Sequence, residues 1–313
     1  MNSSVGAVAK EARPNIGYFS DLPTELKATT ALVESILDQL LPRPQGLQRR
    51  VHEAMRYAIF AGGKRMRPFL VMRCAELFGV RMEFSVRAAA AIEALHTYSL
   101  IHDDLPCMDD DDLRRGRPTT HRAFDEATAV LAGDALLTAA FEILAGPETH
   151  ESAEVRCRLT RELALAAGSN GMIGGQMIDI QAPANDFGVQ DVIVLQRLKT
   201  GALFEFCCVA GAILGQAGTE HESRLRDFAR DLGLVFQMTD DLLDVVGTAE
   251  STGKAVGKDQ SQGKATLVSL LGTDGARAKA EELAQAAVKR VAIYGEPARA
   301  LQALPMFLLN REM

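Results

Sequence analysis

The spacing of apolar residues constrains the fold of this chain more than any other feature of its sequence. Apolar side chains recur every three to four residues through most of the 313 positions, and no stretch alternates strictly between apolar and polar residues, as a half-buried strand would. This periodicity predicts an all-α protein. Gly, Pro and clusters of polar residues predict loops at 112–119, 181–189 and 247–264. The predicted helices cover approximately residues 23–41, 47–60, 68–78, 83–106, 121–145, 152–172, 190–216, 222–246, 275–294 and 296–311.

The chain has no low-complexity linker, so we expect a single domain over residues 21–313 after a mobile polar tail at 1–20. That tail lacks an apolar signal core, and no apolar run is expected to have the length of a membrane span, so the predicted location is the cytoplasm. The five cysteines form no CxxC pair, which is typical of a reducing compartment. A formal net charge of −7 argues against a nucleic-acid partner. Any anion must therefore be bound by a local group of cations or by metal ions.

Acidic side chains are crowded at the end of one apolar helical segment. Positions 103–112 hold six aspartates, and they follow an apolar run at 88–101 that we expect to be buried. Two carboxylates about 4 Å apart repel by about 4 kcal/mol at an effective dielectric constant near 20, so a packed cluster needs cations. Magnesium suits these ligands because it bridges a few carboxylates to phosphate oxygens. Pro106 should end or kink the helix and turn Asp109 back toward Asp103. A solvated acidic patch is the alternative interpretation.

Two arginines, Arg114 and Arg115, follow this cluster directly. Planar guanidinium groups bind phosphate oxygens in a bidentate manner. Beside metal-binding carboxylates they indicate a diphosphate site, although alone they would be typical of a solvated turn.

A second apolar helical segment carries Asp240, Asp241 and Asp244 in a DDxxD pattern. Spacings of three and four residues can place these carboxylates on one helix face, with Gln237 one turn earlier. A single DDxxD pattern is weak, because helices carry it by chance. Two acidic clusters, each on an apolar helix, are a much stronger indication of one metal-dependent site.

Several cationic and polar groups complete the predicted site. Glycines at 62–63 allow close backbone approach to an anion, so the following Lys64 and Arg67 predict a second, metal-free anion site, to which His96 could contribute. Lys199 and Thr200 interrupt an apolar segment and need polar partners. The predicted 247–264 loop is expected to act as a flexible lid or, alternatively, to be merely exposed; its lysines are Lys254, Lys258 and Lys264.

From about residue 57 to 305, the chain resembles the trans-isoprenyl diphosphate synthase family and, within it, the bacterial-type farnesyl diphosphate synthases. The motifs that carry this resemblance occur in the family's order: GGKRMRP, HTYSLIHDDLPCMDDDDLRRGRPTTH, GGQMID, KTGALFEF, FQMTDDLLDVVG and GKAVGKDQSQGKATLVSLLG. The resemblance implies the isoprenoid synthase fold, a bundle of long antiparallel helices around a central cavity, usually as a homodimer. It also implies that isopentenyl diphosphate condenses with dimethylallyl or geranyl diphosphate by ionisation, condensation and elimination.

The resemblance further assigns residue roles. Three Mg²⁺ per active site, with Mn²⁺ as a substitute, would be bound by Asp103, Asp104, Asp109, Asp240, Asp241 and Asp244. Isopentenyl diphosphate would contact Lys64, Arg67, His96 and Arg115, whereas the allylic diphosphate would contact Arg114, Lys199, Gln237 and Lys254; Gly63, Thr200 and Lys264 complete the substrate-binding set. The residues expected to act directly in catalysis are Asp103, Asp104, Arg114, Lys199, Thr200, Gln237 and Asp240.

Product length is predicted from the helix before the first cluster. Tyr98 lies five residues before Asp103, about 7.5 Å deeper at 1.5 Å per residue. In the family, a bulky residue here, beside Ser99 and with the two-residue insertion Pro106-Cys107, resembles the fifteen-carbon, farnesyl-producing pattern. The alternative is that Tyr98 is an ordinary core aromatic residue.

Other functions stay open at this point. The chain could make geranylgeranyl or geranyl diphosphate instead. A class I terpene cyclase ionises similar substrates but would not need the isopentenyl site of Lys64, Arg67, His96 and Arg115, nor usually a second DDxxD motif. A non-catalytic partner subunit could dispense with several carboxylates that this sequence retains.

Overall fold

The computed structural model describes residues 21–246 and 266–310, which are predominantly α-helical. The tail at 1–20 and the lid lysines Lys254, Lys258 and Lys264 lie outside the described residues. Within these ranges the helices are α1 Leu22–Leu40, α2 Arg49–Ile59, α3 Met66–Glu76, α4 Met82–Asp103, α5 Thr120–Ala123, α6 Glu126–Ala145, α7 Ala153–Ala167, α8 Met172–Gln181, α9 Val189–Gln196, α10 Ala202–Leu214, α11 Thr219–Val246, α12 Leu267–Val291 and α13 Arg299–Leu309.

The predicted helices are present, but three of them are divided. The segment expected as one helix over 121–145 contains α5 and α6, which are separated where Asp125 adopts an extended conformation and caps α6. In the segment at 152–172, α7 ends before a turn at 168–171, and α8 begins after that turn. The segment at 190–216 consists of α9, a π-helical turn at Arg197–Gly201, and α10. In all three segments the apolar pattern continues across a change of backbone geometry. The periodicity alone therefore does not reveal where the helix is divided.

The helix α10 lies at the centre of the core. Eleven of its thirteen residues are buried, as expected for a helix that is apolar on all sides. It packs against α3, α7 and α11, while α4 packs against α3 and α6. A smaller apolar cluster joins α9, α11 and the beginning of α12. The two long helices that carry the acidic clusters, α4 and α11, are therefore held by a shared set of central helices.

The helix α6 corrects one sequence-based expectation. Its 20 residues are long and apolar enough to cross a membrane by length and composition alone, although no run of that kind was expected. Only 44% of the apolar window is buried. The buried side of the helix packs against α2, α4 and α7, which accounts for much of its apolar character without a membrane.

The loop predicted at 112–119 contains a small β-hairpin. The strands β1 (Leu113–Arg114) and β2 (Arg117–Pro118) pair antiparallel, with Arg114 opposite Arg117. The two loop residues, Arg115 and Gly116, have φ values of 53° and 74°. Positive φ at both central residues is the geometry of a type I′ turn, whose twist matches that of the strands.

Candidate active site

The first acidic cluster begins where α4 ends. The helix ends at Asp103, and Pro106 lies in the turns that follow. The backbone N–H of Asp109 donates to the carbonyl oxygen of Asp103 at 2.9 Å. The chain therefore turns back over the helix end, as the position of Pro106 predicted.

Asp104 forms a close ion pair with Arg114. Arg114 Nε donates to both carboxylate oxygens at 2.8 Å, and Nη2 donates to Oδ1 at 2.6 Å. Asp104 is only 2% exposed. Both residues were predicted to contact metal or diphosphate, but in this structure each is the other's principal partner. A charge-assisted pair of this kind fixes the orientation of Arg114 at the edge of the cluster.

Asp103 lies in an electrostatic environment that favours a bound cation. Burial raises the pKa of its carboxyl from 3.8 to about 6; the Lys199 charge opposes this effect and the Asp109 charge adds to it. The first cluster is thus within electrostatic reach of Lys199, although the two are almost a hundred residues apart in sequence.

The β-hairpin connects this cluster to the glycine loop before α3. Arg115, at the tip of the hairpin, donates a hydrogen bond to the carbonyl oxygen of Gly62. Gly63 has φ 131°, a backbone conformation that favours glycine, and its lack of a side chain leaves room for the Arg115 guanidinium group. The two adjacent arginines of the hairpin therefore contact different regions: Arg114 contacts the acidic cluster and Arg115 contacts the glycine loop.

Two residues of the predicted metal-free anion site, Arg67 and His96, are in contact beside this loop. Arg67 Nη1 lies 3.1 Å from His96 Nε2. Because arginine only donates, Nε2 accepts and the proton of the neutral ring is on Nδ1. Burial lowers the pKa of His96 well below 6.5, and the neighbouring charges of Arg67 and Arg115 lower it further. His96 is therefore neutral and can offer Nδ1–H to an anion, while exposed Lys64 lies at the mouth of the loop.

Sequence reasoning missed the structural role of Arg65. Its side chain is fully buried, and it donates to Glu93, to the carbonyl oxygen of Ile59 and, at 3.0 Å, to Glu34. It adopts a left-handed conformation with φ 45° at the start of α3. Arg65 thus ties the loop to three helices, whereas its neighbours Lys64 and Arg67 were the residues predicted to bind anions. The motif GGKRMRP carries cations at 64, 65 and 67, and nothing in it distinguishes Arg65 from its neighbours.

Lys199 and Thr200 lie in the π-helical turn between α9 and α10. Such turns are frequent at functional sites. Lys199 Nζ donates to Asp179 Oδ2 at 2.7 Å. Thr200 Oγ1 donates to Gln237 Oε1 at 3.2 Å, and Gln237 Nε2 donates to Asp241 Oδ1 at 2.8 Å. Polar side chains therefore connect this turn to the second acidic cluster on α11.

The second cluster is also close to Arg67, a residue of the predicted metal-free anion site. Asp241 is buried, while Asp240 and Asp244 are partly exposed. Burial lowers the pKa of Arg67, and the charges of Glu93 and Asp240 oppose that effect. The two acidic clusters, the π-helical turn and the glycine loop thus belong to one region, as the paired motifs predicted.

The described residues contain no group of three or more His, Cys, Asp or Glu side chains that converges to hold a metal ion. Mg²⁺ does not need such a group, because it retains waters and is usually bound by one or two carboxylates together with substrate phosphates. The burial of Asp103 and its proximity to Asp109, which both raise the pKa of its carboxyl, fit this mode of binding. Six aspartates as ligands remain a prediction.

The predicted chain-length residues lie on α4 below the first cluster. Tyr98 is 7% exposed, and its ring meets the His102 ring edge-on, with centroids 5.0 Å apart and planes at 81°. His102 Nε2 lies 3.1 Å from the Val130 carbonyl oxygen on α6, and Gly133 leaves the space for its ring. Ser99 Oγ donates to the His96 carbonyl oxygen at 2.8 Å. One side of the Tyr98 ring therefore packs against His102, whose own ring contacts α6.

Comparisons with known proteins agree with this arrangement. Residues 48–302 match the polyprenyl synthetase family model. The farnesyl diphosphate synthase of Bacillus subtilis is 45% identical over 246 residues, covering 78% of this chain and 82% of that protein. The chloroplastic geranylgeranyl pyrophosphate synthase of Catharanthus roseus is 45% identical over 265 residues, covering 84% and 74%. The crystal structure of an FPP/GFPP synthase from Zymomonas mobilis has a TM-score of 0.85 at 44% identity and covers 92% and 99%.

The structural neighbour shares the all-α isoprenoid synthase fold that the sequence predicted. The matching family model covers most of the chain, including both acidic clusters and the glycine loop. This chain belongs to the polyprenyl synthetase family and is a trans-prenyltransferase of isoprenoid biosynthesis.

Proposed function

We propose that this protein condenses isopentenyl diphosphate with dimethylallyl and geranyl diphosphates to give farnesyl diphosphate. The observation that carries the proposal is that an acidic group and a cationic group of side chains lie in one region. One is acidic and suited to a metal-bridged diphosphate, and the other, around Arg67, His96 and Arg115, is cationic. Chain elongation requires two diphosphates at once, one to leave and one to be retained.

The allylic substrate would occupy the acidic side. Mg²⁺ bound by carboxylates of Asp103, Asp104, Asp109, Asp240, Asp241 and Asp244 would supply positive charge that stabilises the departing diphosphate. Arg114 and Lys199 add cationic hydrogen-bond donors on the protein side. The bond between the allylic carbon and the diphosphate oxygen breaks, and its electron pair leaves with the diphosphate. Thr200 and Gln237 present oxygen lone pairs to the allylic cation.

The isopentenyl substrate would be held by Lys64, Arg67, His96 and Arg115. Its double bond attacks the allylic cation and forms the new carbon–carbon bond, after which a proton is lost to the released diphosphate. The described residues that surround the site need only bind, orient and stabilise charge in this sequence of steps. A side-chain nucleophile is not required.

The fifteen-carbon product is the finer part of the proposal. It is supported by buried Tyr98, which lies about 7.5 Å below Asp103 along the helix at 1.5 Å per residue. The relatives include enzymes named for fifteen-carbon and for twenty-carbon products at similar identity. Geranylgeranyl diphosphate is therefore the second candidate product.

One assay tests both parts of this proposal. Purified protein is incubated with Mg²⁺, isopentenyl diphosphate and either dimethylallyl or geranyl diphosphate, and the products are separated by chain length. We expect a fifteen-carbon product from both primers. A cyclic hydrocarbon formed without isopentenyl diphosphate would indicate a terpene cyclase, and inactivity of the isolated protein would indicate a partner subunit. A twenty-carbon product would refute only the assigned length.

We also propose that the protein acts as a cytoplasmic homodimer. Val130 and Leu131 on α6 are 38% and 59% exposed, and burial against a second copy would remove this apolar surface from water. Sedimentation analysis at micromolar concentration should give a dimer, which the change Leu131→Arg should weaken. A monomeric wild-type protein would refute the assignment.

A further inference from the structure

The helix α8 packs directly against the π-helical turn. A Cβ atom added to Gly175 would lie 2.6 Å from Lys199 Cα and 2.7 Å from the Leu198 carbonyl carbon. The backbones of α8 and the turn are thus in direct contact, which a larger residue would prevent. The position of Lys199 is therefore determined by α8 and not only by its own helix.

A side chain of α8 also holds the Lys199 ammonium group. Asp179, one helical turn after Gly175, is 8% exposed and accepts from Lys199 Nζ at 2.7 Å. An ammonium group has three donors, and Asp179 uses one of them. Fixing one donor limits the directions of the other two. Backbone contact and ion pair together restrict the Lys199 side chain at both of its ends.

The groups near Lys199 indicate what the restriction of its side chain achieves. The Lys199 ammonium group lies within electrostatic range of Asp103, at the end of α4. Thr200, the next residue of the turn, hydrogen-bonds Gln237 on α11. The turn therefore faces both acidic helices, where the departing diphosphate and the allylic cation are placed by the proposed function.

We propose that Asp179 is a positioning residue that orients Lys199 for the departure of the allylic diphosphate. This inference rests on the proposed function and adds a residue to it. The effect of Asp179 on the net charge of the site distinguishes this positioning role from a simple role in substrate binding. Removing Asp179 raises the net charge of the site by one, so ground-state binding of a diphosphate should not weaken. Loss of orientation should instead lower the rate of the chemical step.

The experiment compares Asp179→Asn, Asp179→Ala, Lys199→Met and the double variant Asp179→Ala/Lys199→Met with the wild type. The isosteric Asp179→Asn variant limits the risk of misfolding, and thermal melts check that each variant is folded. Asp186→Asn is the matched control, because Asp186 is an exposed acid of the following loop. The measured quantities are kcat and KM for geranyl diphosphate at saturating isopentenyl diphosphate. Equilibrium binding of the unreactive geranyl thiolodiphosphate is measured by calorimetry.

We expect both Asp179 variants to lower kcat by about tenfold, or about 1.4 kcal/mol, with binding of the thiolodiphosphate unchanged or tighter. Lys199→Met should lower kcat and weaken binding. The double variant should match Lys199→Met alone, because Asp179 acts through Lys199. Asp186→Asn should behave as the wild type.

Additive losses in the double variant would overturn the inference, since Asp179 would then act independently of Lys199. Weaker thiolodiphosphate binding with unchanged kcat in the Asp179 variants would also overturn it. If the wild type elongates and the Asp179 variants equal it, only this inference fails. If the wild type itself does not elongate, the proposed function fails with it.

Discussion

Replacing Tyr98 with alanine tests the steric origin of product length. The side chain is 7% exposed and its ring packs edge-on against His102 with centroids 5.0 Å apart, so its removal leaves space directly below the first acidic cluster. Burying one more five-carbon unit stabilises the product complex by up to about 4 kcal/mol, at ~0.8 kcal/mol per carbon. That free energy corresponds to a preference of roughly 1,000-fold. With tyrosine present, forcing extra carbons into filled space would instead cost about 1–3 kcal/mol.

We therefore expect Tyr98→Ala to change the main product from fifteen carbons to twenty or more. The assay uses geranyl and farnesyl diphosphates as primers, with labelled isopentenyl diphosphate, and separates the dephosphorylated products by reversed-phase chromatography. Tyr98→Phe is the control, because it preserves the ring and removes only the hydroxyl group, so it should retain the wild-type product. Truncating a buried aromatic side chain costs about 3–5 kcal/mol of stability, so both variants need an unfolding curve. A folded, active Tyr98→Ala enzyme that still stops at fifteen carbons would refute the reasoning.

Three further predictions concern stability and reactivity. Arg65→Met should lower the free energy of unfolding by about 3–5 kcal/mol, because it leaves the buried Glu93 carboxylate without its arginine; urea unfolding measures this, and a loss below about 1 kcal/mol would contradict it. Asp125 caps α6, and hydrogen bonds from an arginine and a threonine lower the pKa of its carboxyl to about 2. Asp125→Ala should therefore lower the melting temperature at pH 7, and the difference from wild type should shrink as pH falls from about 4 toward 2; a difference independent of pH would contradict this assignment. A thiol-alkylating reagent should modify only Cys107 and Cys157 in the native protein, because the other three cysteines are buried, and mass spectrometry should count two labels before and five after denaturation.

The sequence predicted the location of the candidate site better than its internal contacts. Periodic apolar residues located α4 and α11, and the aspartate spacings indicated which helix ends and faces carry carboxylates. These features are local, because helix geometry alone relates positions three or four residues apart. The turn after Pro106 was predictable for the same reason, since a proline limits the backbone of its own segment.

Contacts between separate structural elements could not be predicted in this way. Arg114 was expected to contact a diphosphate, and the structure places it on Asp104. Arg65 was not distinguished from its cationic neighbours, although its side chain is fully buried. The partners of Arg65 depend on which helices are adjacent, and the partner of Arg114 depends on how the hairpin folds against the end of α4. Apolar periodicity identifies a buried face without identifying what covers it.

The sequence by itself therefore determined the all-α class, the positions of the two acidic helices and the types of ligand that their side chains can bind. Only the tertiary structure decided how these parts act together. The π-helical turn at Arg197–Gly201 exists where α8 contacts it through Gly175, and Lys199 meets Asp179 because of that contact. Hydrogen-bond geometry within a helix is nearly independent of sequence, whereas a local change of that geometry is stabilised by the neighbouring elements that pack against it.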